Sequence, residues 1–184
     1  MRKIILSSLI FFLLSTVCLP PSVGMPVEDL RVVTNEQYFR VARDLIREAK
    51  HSVRVMMFEM AYYAKHGDAP TNVLIKELIG AKKRGLKVEV ILEVREGQDR
   101  TTKGNRRTGK ILAEGGVEVV YDSVLKTTHA KLMIVDEQST LLGSTNWTYS
   151  ALSKNNEASV VIRSKEVAKD LLEFFTKVKG TGVK

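Results

Sequence analysis

Four polar residues in one short stretch have the types and the spacing to do chemistry. In HAKLMIVDEQSTLLGSTNWT, residues 129–148, His129 and Lys131 stand two apart at the head of an apolar run, and Ser144 and Asn146 stand two apart after the next run. Alternate residues of a strand share a face. If 131–135 and 139–142 pair as strands through the turn Asp136-Glu137-Gln138, all four groups meet at one end of a sheet. Taken singly, each has an ordinary use: a structural histidine, a lysine whose stem lies along a strand edge, two turn-forming residues. Together, two basic groups, a hydroxyl and an amide suit a tetrahedral anion with several oxygens to be held, which is a phosphoryl group.

The elements that must position them follow from hydrophobic periodicity and breakers. A short strand is expected at 30–33, then a helix capped by Thr34 or Asn35 and running through Lys50. The apolar run 53–58 reads as a buried strand, and 61–68 as a loop that carries Tyr62 and Tyr63. A helix beginning near Pro70 places Leu74, Ile75, Leu78 and Ile79 on one face and ends near Gly85. Strands are expected at 87–94, 117–121 and 158–162, a short helix around 109–114, and an amphipathic helix at 165–178. Strands alternating with helices imply an α/β fold, a mixed β-sheet flanked by helices on both faces, with its apolar strands covered on both sides.

The chain has 184 residues, 44% hydrophobic and 27% charged, enough for one domain with a substantial core. Its formal net charge of +8 favours a polyanionic partner, nucleic acid or anionic lipid. Met1-Arg2-Lys3, the uncharged run 4–19 and the small residues Ser22 and Gly24 have the form of a secretory signal peptide cut after Gly24, the alternative being an uncleaved membrane anchor. Residues 25–184 then form the single catalytic domain of an exported protein, periplasmic or secreted. Cys18, the sole cysteine, lies in the leader, so the domain has neither a cysteine nucleophile nor a cysteine-based zinc site. No His, Asp or Glu grouping has metal-ligand spacing either.

His129-x-Lys131, Asp136, Gly143-Ser144-x-Asn146 and the downstream Glu157 reproduce the HKD motif at its spacings, and the chain thereby resembles the phospholipase D superfamily, most closely its small single-motif bacterial endonucleases. Lys-Arg-Gly-x-Lys-Val-x-Val at 83–90 is a looser likeness to the same proteins. The resemblance implies a two-step displacement without metal or cofactor, in which one histidine attacks phosphorus and a second protonates the leaving oxygen, then activates water. It makes His129, Lys131, Asp136, Asn146 and Glu157 the catalytic set, with Ser144, Lys131 and Asn146 holding substrate. Such a scheme suits imidazole, which titrates near neutral pH, and covalent catalysis divides one hard step into two. Glu157 would orient the histidine through its other ring nitrogen.

The scheme needs two histidines and the motif supplies one; His51 and His66 begin no second motif and read as surface residues. The expectation is a homodimer with one composite active site on its two-fold axis. Asp136 has the wrong parity to share a face with His129 and Lys131, so geometry assigns it to the turn or to an interface in spite of its place in the motif. Trp147 is expected in the core or an interface. The run 95–110 is expected as a flexible basic rim for a nucleic-acid backbone, or simply a solvated loop, and Tyr62 and Tyr63 as stacking or ordinary packing residues. The favoured function is a metal-independent, non-specific endonuclease, with DNA ahead of RNA. The rivals are a phospholipase D-type or cardiolipin-type lipid hydrolase, which brings in a membrane if the leader stays, and an inactive nucleic-acid or membrane binding protein.

Overall fold

The computed structural model describes residues 24–97 and 99–183. In chain order these form β1 (Asp29–Thr34), α1 (Gln37–Glu48), β2 (Ser52–Met57), α2 (Pro70–Lys83), β3 (Lys87–Leu92), α3 (Arg100–Glu114), β4 (Glu118–Tyr121), β5 (Lys131–Val135), β6 (Ser139–Gly143), α4 (Tyr149–Ser153), β7 (Ala158–Arg163) and α5 (Lys165–Thr181). The expected signal peptide or anchor, with Cys18, falls on residues outside the described range, Gly24 excepted.

The seven strands form one sheet in the order β1-β7-β6-β5-β2-β3-β4. β2, β3 and β4 run parallel, each linked to the next by a helix, and every other neighbouring pair is antiparallel. Alternation sorts the residues of β2 between two cores. Val53, Val55 and Met57 pack with Ile46 of α1, Leu74 and Leu78 of α2 and Leu112 of α3. Met56 faces the other way and packs with Ile91, Leu132, Ile134 and Phe175 of α5. The expected mixed sheet with helices on both faces is thus present, its helices divided unequally.

Full cover of the strands is not. On the α5 face, Leu30 and Val32 of β1 are 55% and 63% exposed. Their register partners Ile162 and Val160 on β7 are only half-buried, and so is Leu142 of β6 beside Val160. One corner of the sheet therefore presents an apolar patch with no helix over it.

Two expected boundaries shift for local reasons. Asn35 does not cap α1; it sits in the left-handed region at φ 49°, and Glu36 occupies the cap position without a side-chain hydrogen bond. More consequentially, 95–110 is not a flexible rim. Asp99 Oδ1 accepts from Thr102 N at 2.8 Å, and a 15-residue helix follows. Its inward stripe, Thr102, Asn105, Thr108, Gly109 and Leu112, keeps helical spacing but is mostly polar, which hides the helix from a search for apolar periodicity. Those polar groups have buried work: Asn105 Oδ1 accepts from Met60 N, its Nδ2 donates to the Phe58 and Glu93 carbonyls, and Thr108 Oγ1 donates to Met60 O.

Candidate active site

β5 and β6 pair with Leu132 opposite Leu142, so the segment before β5 and the segment after β6 leave the sheet at the same end. The turn between them carries consecutive left-handed residues, Asp136 at φ 52° and Glu137 at φ 55°, closed by Gln138 N donating to Val135 O. That geometry matches the twist of paired strands. Gly143 is needed where β6 meets β7: a Cβ there would come within 2.5 Å of Ala158 O and Ser159 Cα. Its neighbour Ser144 is thereby held against the start of β7.

His129 lies just outside β5, exposed, its ring tilted against Phe58 with centroids 4.5 Å apart. The backbone fixes it on both sides: Thr128 N donates to Glu93 Oε2 at 2.6 Å, and Ala130 O accepts from Phe58 N at 3.1 Å. Lys131 is 5% exposed. Its Nζ donates to His129 O at 2.7 Å, lies 3.2 Å from each ring nitrogen of His129, and sits 4.8 Å from the Phe58 ring centre. Arg95 covers the same ring at 5.1 Å. Partial burial, then the charges of Lys131 and Arg95, lower the His129 pKa. The shift favours the uncharged, nucleophilic form of the imidazole. Burial lowers the Lys131 pKa as well, opposed by the field of Glu157.

Across the strand pair, Glu157 accepts from Asn155 Nδ2 at 3.0 Å and from the Ser144 hydroxyl, while Ser144 Oγ accepts from Ala158 N at 3.1 Å. Asn35 is the residue behind this arrangement. Its Oδ1 accepts from Glu157 N and its own N–H donates to Glu157 O, fastening the acid's backbone at both groups. The Asn146 side-chain oxygen is buried without a hydrogen-bond partner among the described residues. Such an atom calls for a partner, and an N–H or O–H donor on a ligand is what would supply one.

The sequence-predicted residues accordingly divide. His129, Lys131, Ser144, Asn146 and Glu157 gather at one end of the sheet. Asp136, grouped with the catalytic set by the motif, is excluded from it: five strand positions from Lys131 put it about 17 Å away, at the opposite end. There its carboxylate accepts from Lys50 N, His51 N and Ser52 N at 2.7–2.8 Å, pinning the entry to β2. Burial opposes its charge, but those three N–H donors hold its pKa below the usual carboxylate range. Glu157 does not orient His129 within the chain, since its described partners are Ser144 and Asn155. Ser144, expected on the substrate, has its one donor committed to Glu157 and acts here as that residue's holder. Trp147 is fully buried, its Nε1 donating to Tyr38 Oη, and His51 and His66 are exposed as expected.

Sequence reasoning missed Phe58, Arg95, Asn35, Asn105 and the acids Glu93 and Asp122. Of these, an aromatic closing an apolar strand run was a legible signal. The others act across sequence separations that no local pattern carries. Tyr62 packs against the core, whereas Tyr63 joins Tyr149, His66, Asp68 and Arg100 around a cleft of about 650 Å³. His129 opens instead on a smaller cleft of about 230 Å³ with Thr128, Lys126 and Lys177.

An exposed imidazole, a buried ammonium and an amide oxygen without a partner among the described residues thus stand at one end of the sheet. The family described as cardiolipin synthase, PLD-like domain, matches residues 42–179, and the chain belongs to this phospholipase D-like family, within the phospholipase D superfamily of phosphodiesterases. Among solved structures it is similar to Nuc of Salmonella typhimurium, a phospholipase D family member, at 27% identity and a TM-score of 0.71, covering 84% of this chain and 95% of that one. Among curated relatives, the mitochondrial cardiolipin hydrolase of Canis lupus familiaris is 30% identical over 95 residues, 52% of this chain and 35% of that protein. The phospholipase D of Rickettsia prowazekii is 25% identical over 128 residues, 70% of this chain and 56% of that protein. The chain thus spans about a third to just over half the length of these curated relatives.

Proposed function

We propose that the chain is a phosphodiesterase that cleaves nucleic acid, DNA ahead of RNA, through a covalent phosphohistidine, and that it works as a homodimer. The observation that carries this reading is Lys131, a buried cation with no carboxylate in salt-bridge range among the described residues, set against a neutral imidazole. A cation kept dry and unpaired is ready for an anion, here a phosphate oxygen. A His129 ring nitrogen attacks phosphorus and the P–O bond to the leaving group breaks. The departing oxygen takes a proton from His129 of the partner subunit, which enters the step as imidazolium beside the bound anionic phosphate, and that imidazole, now neutral, takes a proton from the water that cleaves the P–N bond. Lys131 Nζ and Asn146 Nδ2 donate to the nonbridging oxygens as charge gathers on them.

Nucleic acid is favoured over lipid by α3. Its exposed Arg100, Lys103, Arg107 and Lys110 recur every three or four residues, a basic ridge about 15 Å long at the helical rise, suited to a chain of phosphates. The likeness to Nuc across nearly its whole length also supports this reading. Lipid hydrolysis is the second reading, favoured by the names of the curated relatives. A second copy is the proposed occupant of the uncovered patch of Leu30, Val32, Val160 and Ile162. The patch adjoins the site through Leu142, one residue before Gly143, so a two-fold contact there brings two incomplete sites together. Export by the leader is part of the same reading, tested by N-terminal sequencing of protein recovered outside the cytoplasm.

The deciding experiment incubates the purified protein, in excess chelator, with supercoiled DNA and separately with cardiolipin vesicles. Nicking that vanishes in His129→Ala is the expected result. Lipid turnover without nicking transfers the function to the second reading, and a requirement for added divalent metal overturns the mechanism. Sedimentation of the active species as a monomer overturns the dimer, and Val32→Asp is expected to dissociate it.

A further inference from the structure

Two buried acids that the chemistry above does not use lie directly behind His129. Glu93 follows the last residue of β3 and Asp122 the last residue of β4, and these strands pair in parallel with Leu92 opposite Tyr121. The acids are side by side at the sheet end, 0% and 1% exposed, with their carboxyls in hydrogen-bonding reach of each other. Both accept from a single backbone donor, Thr128 N, at 2.6 Å from Glu93 Oε2 and 3.1 Å from Asp122 Oδ2. Asp122 Oδ1 also accepts from Val94 N at 2.8 Å, and Glu93 Oε1 from Arg95 Nε at 3.1 Å. Thr128 is the last residue before His129. The stretch before it, 124–127, is exposed, and its hydrogen bonds among the described residues go to Ser123, from Lys126 N to the carbonyl and from Leu125 N to the hydroxyl.

We infer that Glu93 and Asp122 are a proton-sharing carboxyl pair that positions His129 by gripping the Thr128 N–H. The inference rests on the phosphodiesterase reading and adds to it residues that act through His129 without touching substrate. Two dry carboxylates in contact cannot both be charged without strong repulsion. One proton between them turns the repulsion into a hydrogen bond and leaves the remaining lone pairs for Thr128, Val94 and Arg95. The groups facing the pair are few. Arg95, half-exposed, binds Glu93 and leans over Phe58. Lys126 of the loop and Lys177 of α5 line the cleft beside Asp122. Among the described residues α3 contributes neutral groups, Asn105 on the Glu93 carbonyl and Thr102 on the Arg95 N–H.

Burial, with Asp122 second, pushes Glu93 up to about 7. The shared proton is thus lost just above neutral pH, and the grip on Thr128 loosens as the pair becomes doubly charged. The test uses bis(p-nitrophenyl) phosphate, whose leaving group needs little protonation, so that the partner histidine's titration does not mask the effect. Wild-type kcat is expected to fall several-fold between pH 6.5 and 8.5. Glu93→Gln, which keeps a permanent proton donor towards Asp122, is expected to hold its pH 6.5 rate across that range, and Glu93→Ala to lose activity at every pH. A Glu93→Gln profile that retains the wild-type alkaline fall overturns the inference. Independently of turnover, the Thr128 amide proton followed by NMR is expected to shift with a midpoint near 7 in wild type and to be flat in Glu93→Gln; no inflection in wild type also overturns it. Absence of diester turnover together with a Thr128 inflection counts against the phosphodiesterase reading alone.

Discussion

Arg54 and Lys131 lie on neighbouring strands, β2 and β5, and are buried alike, 6% and 5% exposed. Their surroundings are opposite. Arg54 donates to Glu89 at 2.8 Å and reaches Glu137 at 3.2 Å, and Glu89 is also bound by Lys87 and Lys179, the latter bridging to Glu118. Burial works against the Glu89 charge, but Lys179, Lys87 and Arg54 together hold its pKa below the usual range. Lys131 has a backbone carbonyl, a neutral ring and an aromatic face. One sheet end neutralises its buried charge, and the other leaves it uncancelled. Folding alone favours the first arrangement, because an unpaired buried cation is destabilising, so the second is evidence of a ligand's place.

The comparison can be broken most sharply by the same substitution at both positions. Lys131→Met is expected to lower kcat/KM for diester hydrolysis by about 10³-fold, the scale of losing one transition-state donor, with Tm unchanged or raised. Arg54→Met should do the reverse, costing about 1–3 kcal/mol of stability by taking one charged donor from the buried Glu89, which keeps Lys87 and Lys179, while folded molecules keep their rate. Denaturant melts and steady-state kinetics on both variants check this. If Lys131→Met loses stability and keeps its rate, the contrast is void.

Asp136→Ala sharpens it from the quiet end of the sheet. Loss of a charged acceptor for three backbone donors is expected to cost roughly 2–4 kcal/mol, read by urea melts, without changing kcat per folded molecule. Glu93 supplies a pH-dependent case. Its pKa rises on folding from 4.5 to about 7, so its contribution to stability is full below 4.5 and is lost as pH rises through about 7. Glu93→Gln should therefore be more stable than wild type at pH 8, by on the order of 3 kcal/mol, and the advantage should vanish by pH 4. The smallest effect belongs to the ridge: Lys103→Ala is expected to weaken DNA binding a few-fold and reduce the salt slope by about 1, measured by titration at several salt concentrations.

Much of the site was legible because a strand repeats every two residues. Given a short turn after Val135, the pairs His129/Lys131 and Ser144/Asn146 had to leave the sheet together, and the parity that set Asp136 apart from them agrees with its position at the far end. What escaped notice did so for physical reasons. α3 turns a threonine and asparagine stripe inward, so its period is invisible to hydrophobicity. Glu93 and Asp122 are single acids after apolar runs, 29 positions apart, and only the parallel pairing of β3 with β4 makes them neighbours. Asn35 looked like a helix cap since asparagine favours that position, but asparagine also tolerates the left-handed backbone, and here that second property prevails.

The clasp between Asn35 and Glu157 joins residues 122 positions apart. A nascent chain therefore exposes β1 long before it has made the acid that β1 will seat. No ribosome-bound fragment short of β7 can carry the assembled constellation, and a bond-cutting activity stays latent until that strand has been made.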